Sequence, residues 1–350
     1  MTAQTHKNID KSNMHKSIYE FPLHIKDCID NFENNYFLKN KTNIFESIII
    51  LGMGGSAISG LLLKEMLNDQ IKIPVFINKS YTIPKWVNKK TLVIASSYSG
   101  NTEETIISCK KALKLKCNII GISTGGELIQ LLKKEKKSFI ILPKGLQPRA
   151  AIGHSFTSIF LLFDKLNLIN KKDVKLFKKN TNFLLDENKK YCEIGKQNFS
   201  YIIAKKIINK IPIIYAQEGI YDAIGYRFKS QLAENSKIIS FNGNIPEMNH
   251  NEIEGFSEKM NLEKNIILIW INDELYHEKN KKRISITSKI LKKRIKNQLT
   301  LKLNYLDKYG KFIHYLRYIQ LTDWISYYCA IINKNDPSDI PNISKLKNTL

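Results

Sequence analysis

Ser47-Ile-Ile-Ile-Leu51 runs directly into Gly52-Met-Gly-Gly-Ser-Ala-Ile-Ser-Gly60, and an apolar helical pattern follows through Leu67. The isoleucine run is too short for a helix of its own and reads as a buried strand. Strand, glycine turn and helix together point backbone N–H groups and a helix N-terminus at an anion. The glycines let backbone approach a phosphate closely, and Ser56 can add a hydroxyl. Gly52-x-Gly54-x-x-Ala57 also satisfies a dinucleotide fingerprint, a weak match by itself. The next strand, Pro74 to Ile77, ends in Asn78-Lys79 without an acidic residue to hold a ribose. Lys79 would suit a 2′-phosphate, so this stretch alone leaves a nicotinamide cofactor open.

The following unit narrows the choice. Thr91-Leu-Val-Ile-Ala95 is a second buried strand, followed by Ser96-Ser-Tyr-Ser-Gly-Asn-Thr-Glu-Glu-Thr105 and an amphipathic helix. A helix cap needs one hydroxyl. Three, at Ser97, Ser99 and Thr102 around a glycine turn, favour a cradle for a phosphate monoester. Glu103 and Glu104 in the first turn suit the helix dipole. Strands at Asn118 to Ile122 and Phe139 to Leu142 follow. Pro148-Arg-Ala-Ala-Ile-Gly-His-Ser155 then leads into the apolar helix Phe156 to Phe163. Arg149, in a loop at a strand end, could reach a developing oxyanion. His154, at a helix start, reads as structural. Four βα units make one doubly wound domain.

A second alternation predicts a strand at 211–216, a helix at about 220–235 and strands at 238–241 and 265–271. A helix at 279–296, a strand at 299–303 and a helix at 311–333 complete it. Its first turn, Ala216-Gln-Glu-Gly219, lacks the hydroxyl cluster. The fold class is therefore α/β, with two doubly wound parallel-sheet domains and helices on both faces. The expected organisation is a helical leader at 1–39, a phosphate-binding domain at 40–165 and a Lys/Asn-rich helical connector at 166–195. A second domain at 196–333 and a tail at 334–350 follow. In the second domain Phe228 and Leu232 mark a helix whose end carries Glu234, and His250 sits in a loop beyond a short strand. A carboxylate and an imidazole are what proton transfer needs.

Bulk properties exclude several classes. Hydrophobic content of 43% and charged content of 25% are ordinary for a globular protein. No apolar run approaches the ~20 residues that span a bilayer. The five cysteines are scattered and form no C-x-x-C, so neither disulfides nor zinc is expected and a cytoplasmic setting fits. The net charge of +23 raises nucleic acid as a partner. However, only five of the 55 basic residues are Arg, a pattern of whole-chain compositional drift rather than a built basic face. Neither nucleic acid nor membrane is an expected partner. Scarce arginine draws attention to Arg149 and Arg227, because a bidentate clamp cannot be exchanged for Lys.

With these residues placed, the chain resembles the sugar isomerase (SIS) superfamily and, within it, the bifunctional phosphoglucose/phosphomannose isomerases. The resemblance spans Phe21-Pro22, Gly52-Met-Gly-Gly-Ser56, Ser97-Tyr-Ser-Gly-Asn-Thr102 and Pro148-Arg-Ala-Ala-Ile-Gly153. It continues through Arg227-Phe-Lys-x-Gln-Leu-x-Glu-Asn-Ser-Lys237, Asn249-His-Asn-Glu-Ile-Glu-Gly-Phe256 and Ile343-x-x-Leu-Lys347. It implies an SIS-type, flavodoxin-like fold and interconversion of glucose 6-phosphate, and mannose 6-phosphate, with fructose 6-phosphate through a cis-enediol. By the same resemblance Gly55, Ser56, Ser97, Ser99 and Thr102 bind the phosphate, and Glu234 is the base. Arg149 is the cation near it, and His250 and Lys347 assist ring opening, with Lys345 the rival for the Lys347 role. His250 is expected from the partner subunit of a homodimer, and no metal or other cofactor is implied. The chain departs from the family at Leu61, where Asp is common, and at Ser338, where Thr is usual. A sugar-phosphate-binding SIS regulator without catalysis, or an isomerase of another sugar phosphate, is the alternative.

Overall fold

The described part of the leader carries the helices α1 (Met14–Tyr19) and α2 (Phe21–Asn35), with Pro22 in the first turn of the second. Proline fits there because a first-turn N–H has no intrahelical acceptor to lose. The computed structural model describes residues 8–37, 45–193, 198–256 and 263–349. Its contacts divide the chain into two units, Glu20–Thr181 and Met1–Tyr19 with Asn182–Leu350. The two leader helices thus belong to different units. The boundaries expected at 39/40 and 195/196 fall outside the described residues.

In the first unit, β1 (Tyr36–Phe37), β2 (Ser47–Leu51), β3 (Val75–Asn78), β4 (Thr91–Ser96), β5 (Asn118–Ser123) and β6 (Ser138–Ile141) form one sheet. Their order is β1-β6-β5-β4-β2-β3. Strands β2 to β6 are parallel, whereas β1 adds an antiparallel edge to β6. That edge was not expected, since two residues carry no readable alternation. The parallel strands, counted along the chain, stand in the order 2-1-3-4-5, the flavodoxin-like winding. Helices α3 (Gly54–Met66), α4 (Glu103–Lys114), α5 (Gly126–Lys134) and α6 (Ile152–Lys165) cover both faces. Ile49, Leu51, Val93 and Ala95 pack against Cys109 and Ala112 of α4 and Leu128 and Leu132 of α5. On the other face Gly60 of α3 meets Ile50 and Ile77.

Helix α6 lies close against α2 because Gly153 carries no side chain. A Cβ there would stand 2.8 Å from Phe21 O and from His24 Cβ. Beside this contact His24 stacks on His154 with ring centroids 4.5 Å apart. Burial, and for His24 also the neighbouring His154, pushes each imidazole down to about 4. His154 is a packing group, as its position at a helix start suggested.

α7 (Lys171–Cys192) carries the boundary between the units. In the second unit, α8 (Phe199–Ile207), β7 (Ile211–Gln217), α9 (Ile220–Ser236), β8 (Phe241–Ile245), β9 (Ile266–Ile271), α10 (Glu278–Lys292), β10 (Gln298–Leu301), α11 (Lys311–Ile332) and α12 (Pro341–Thr349) follow in turn. The sheet order is β10-β9-β7-β8, all parallel. In chain order this is 2-1-3-4, the winding of the first unit less its last strand. One strand differs from expectation: 238–241 was read as β, and the strand is Phe241–Ile245. Lys237 ends α9 in the left-handed region at φ 57, and the chain needs the next residues to turn back. Asn242, Gly243 and Asn244 then pair with β7 despite poor strand propensity. Gly243 is required by the ring of Tyr215, which lies 2.7 Å from where a Cβ would stand.

Candidate active site

The glycine turn after β2 and the hydroxyl loop after β4 leave the carboxyl ends of adjacent strands. These two strands flank the point where the winding reverses direction, the place where open α/β sheets hold ligands. Helix α3 starts at Gly54 behind Met53, and α4 starts behind Thr102. Neither start has a side-chain cap. The early N–H groups of two helices are therefore directed at one crevice without a side-chain acceptor. Thr102 Oγ1 instead pairs with Ser97 Oγ at 2.8 Å, and Ser97 Oγ accepts from Gly100 N. Ser56 Oγ accepts from Tyr98 N at 3.0 Å, tying the two loops together. Ser56 Oγ accepts from its neighbour loop and keeps its proton, and the Ser97–Thr102 pair keeps one of its two, which suits a phosphate oxygen.

Gly55 and Gly100 show why the loops close so tightly. A Cβ on Gly55 would lie 2.6 Å from Pro148 O and 3.2 Å from Arg149 N. One on Gly100, at φ +75, would lie 1.9 Å from Gly125 O. The Arg149 loop therefore rests on the glycine turn, and Arg149 itself is buried. Gly55, Ser56, Ser97, Thr102 and Arg149 form one cluster. Ser99 stands on the exposed rim of the same loop.

Glu234, His250 and Lys347 belong to the second unit. The residues around Glu234 divide by task. Arg227 Nη2 donates to Asp323 Oδ2 at 2.6 Å, and Gln231 Nε2 to Asp323 Oδ1 at 3.0 Å. Asn235 Nδ2 donates to Ser326 Oγ, and Ser236 Oγ to Ser326 O. Spacing of four puts 227, 231 and 235 on one helical face, and that face is pinned to α11. Arg227 is thus in a buried ion pair and is no oxyanion clamp. Burial raises the Asp323 carboxyl even though Arg227 and Gln231 stabilise its charge. Glu234 is left half-buried at the last turn, on a helix that cannot shift easily. Asp323 and Ser326 went unnoticed in the sequence. The available signal was polar residues three apart inside an otherwise apolar helix.

Glu234 and His250 lie at opposite edges of the second sheet. Helix α9 starts where β7 ends and runs back, so Glu234 comes to the amino-terminal edge. His250 is an exposed residue of the short 3₁₀ turn Glu247–His250, beyond the carboxyl end of β8. The root of the tail is tied near the Glu234 end, with Asn335 Nδ2 on Ser236 O and Lys237 Nζ on Asp336 O. Lys345 and Lys347 are both exposed on α12 and, two residues apart, point to different sides. Among the described residues no cluster of His, Cys, Asp and Glu could hold a metal ion.

Comparison with known proteins gives this arrangement a family. The chain is 35% identical to a bifunctional phosphoglucose/phosphomannose isomerase of Caldicellulosiruptor bescii over 339 residues, 96% of this chain and 98% of that protein. The chain belongs to the bifunctional phosphoglucose/phosphomannose isomerase family. A like-named protein of Thermoplasma volcanium is 33% identical over 88% of this chain and 92% of its own. A D-glucosamine-6-phosphate 4-epimerase of Sulfolobus acidocaldarius is 34% identical over 61% of this chain and 65% of its own. The bacterial phospho-glucose isomerase C-terminal SIS domain matches residues 196–350. The fold is shared with the C-terminal domain of glucosamine-fructose-6-phosphate aminotransferase from Francisella tularensis, at TM-score 0.68, 18% identity and coverage of 93% and 98%. It is shared too with tagatose-6-phosphate ketose/aldose isomerase from Escherichia coli, at TM-score 0.65, 13% identity and coverage of 97% and 96%. The SIS-type α/β fold and the isomerase assignment stand on these findings.

Proposed function

We propose that the protein interconverts fructose 6-phosphate with glucose 6-phosphate and with mannose 6-phosphate. The observation that carries this reading is Glu234, half-buried at the end of a helix that Arg227, Gln231, Asn235 and Ser236 fix in place. A sugar-phosphate sensor would need no such anchored carboxylate. Gly55, Ser56, Ser97, Ser99 and Thr102 hold the phosphate. Glu234 takes the proton from C2 of the open-chain aldose and returns it to C1, through a cis-enediolate. Arg149 offsets the charge that develops on the intermediate. His250 and Lys347 serve ring opening, with His250 donated by the partner of a homodimer. The separation of Glu234 and His250 on one protomer's sheet supports that division. Five free cysteines are in keeping with a cytoplasmic enzyme.

The test is conversion of fructose 6-phosphate, read for glucose 6-phosphate and mannose 6-phosphate together. Both products should form, and Glu234→Gln should abolish both while sugar-phosphate binding persists. Binding without turnover at enzyme excess would select the regulator. The epimerase relative motivates one more readout, since a C4 epimer as the main product would select that chemistry instead.

A further inference from the structure

Apart from His250 beyond β8, the carboxyl edge of the second sheet, opposite the Glu234 edge, is not used by the proposed reaction. Open α/β sheets place ligands at such an edge. Between β7 and β9 the crevice is filled: Tyr276 OH donates to Ile271 O and accepts from Gln217 N, and Tyr221 OH donates to Asp273. One strand further along, beside β10, a cavity of about 360 Å³ opens, lined in part by Lys190, Tyr191, Phe199, Lys302, Asn304 and Arg317. That volume lies within the range of about 300–1,000 Å³ found for small-molecule sites. All of these residues belong to the second unit.

Arg317 is the centre of this cavity. It is 6% exposed. Its Nε donates to Glu187 Oε2 at 2.9 Å and its Nη1 to Asn304 O at 2.7 Å. His314 Nδ1 stands 3.4 Å from the same Nη1, and His314 Nε2 is 2.8 Å from Asp273 Oδ2. Tyr318 OH also donates to Asp273. Burial pushes the Asp273 carboxyl up, but hydrogen bonds from His314 and Tyr221 outweigh it and hold the carboxyl below its ordinary value. An anionic Asp273 orients His314, and His314, Glu187 and Asn304 together fix the guanidinium. Among the described residues Arg317 Nη2 has no hydrogen-bond partner, so its two N–H donors remain on a guanidinium already held in place. Lys190 pairs with the other Glu187 oxygen, and Lys302 stands 3.8 Å from Glu274. Three cations therefore line the cavity, and both oxygens of its one buried carboxylate are already engaged.

We propose that this cavity binds a phosphorylated small molecule, with the phosphate on Arg317 and Lys302 and the remainder against Tyr191 and Phe199. A pre-fixed guanidinium suits the class, because little rotamer freedom is lost on binding and its Nη2 can donate to phosphate oxygens. The aromatic wall and the volume call for more than an inorganic ion. The site adds a second phosphate-binding position per chain to the serine-rich cradle.

The experiment counts phenyl phosphate sites on the full chain by calorimetry, using two variants that separate the positions. Ser99→Glu puts a carboxylate on the exposed rim of the cradle, and Lys302→Glu puts one in the cavity while leaving the Arg317 network intact. Two sites per chain are expected for the native protein. Ser99→Glu should keep the cavity site, and Lys302→Glu should weaken it about tenfold or more while keeping the cradle. A single site in the native protein that Ser99→Glu removes would overturn the proposal. So would a second site that neither Lys302→Glu nor Lys190→Glu weakens. Loss of the cradle reading would show separately, as binding that Ser99→Glu leaves unchanged.

Discussion

The two units wind alike, yet their first turns differ in kind. After β2 the chain is Gly52-Met-Gly-Gly-Ser56, with small residues, an uncapped helix start and a hydroxyl on the neighbouring loop. After β7 it is Ala216-Gln-Glu-Gly219. There Gln217 N is bound by Tyr276 OH, and Gln217 Oε1 accepts from His277 N and Asn280 Nδ2. The same topology supplies a crevice in both units. Side-chain volume then decides whether it stays open for a ligand or becomes core. In the second unit the proposed base Glu234 lies at the amino-terminal edge, and the cationic cavity lies beside β10.

The largest expected effect tests whether reaction and anchoring are divided between the units. Glu234→Gln should lower kcat by about 10²–10⁴-fold, with KM for fructose 6-phosphate little changed. Near-normal turnover would remove Glu234 from the reaction. Breaking the pinning of α9 comes next. Arg227→Met leaves Asp323 buried without its cation and should cost about 3–5 kcal/mol in urea unfolding. The double change with Asp323→Leu should recover part of that, and no recovery would mean that the pair is not what holds the helix.

Gly100→Ala should destabilise by about 3 kcal/mol, because its Cβ meets a backbone carbonyl and its φ is positive. Gly225→Ala in the second unit meets the flexible Asn242 side chain and should cost less, about 1 kcal/mol. Equal costs would show that the glycines of the cradle are no more constrained than others.

Acid should strike the first unit through its histidines. His24 and His154 have folded-state values near 4, below their ordinary 6.5. Their neutral forms are therefore preferred in the fold, and stability present above about pH 6.5 is lost as pH falls through 4. Each should contribute up to roughly 3 kcal/mol of that loss. A His24→Phe variant whose unfolding free energy falls just as steeply over this window would show that other groups are responsible. The smallest effect expected is that of Ser97→Ala, about 1 kcal/mol, appearing as a raised KM with kcat nearly intact.

Most of the architecture is legible in the sequence because buried parallel strands announce themselves. Ile48 to Leu51, Thr91 to Ser96 and Ile266 to Ile271 are apolar runs between glycine or charged stretches, and each is a strand. β8 was misplaced because Asn242-Gly243-Asn244 has no strand signature. What makes it a strand is the ring of Tyr215 and the open edge of β7. β1 is equally unreadable, two residues whose partner lies a hundred positions away. Within the motif at 227–237 the sequence presents one block rich in polar residues. Which of them react and which anchor depends on Asp323 and Ser326, about ninety residues later.

The glycine turn at 52–56 and the hydroxyl loop at 97–102 were determined by sequence alone, as local chemistry: small residues, hydroxyls and helix starts act over a few positions. The alternation of strands and helices was fixed in the same way, by periodicity. The tertiary structure decided that the two loops flank the reversal of the winding, that Tyr276 and Tyr221 close the matching crevice in the second unit, and that Glu234 and His250 stand at opposite sheet edges. It also decided that Arg227 belongs to Asp323 and that Arg317 keeps donors for a cavity. Strand order and helix packing join residues far apart in the chain, and no local pattern records which distant partner a charged side chain will meet.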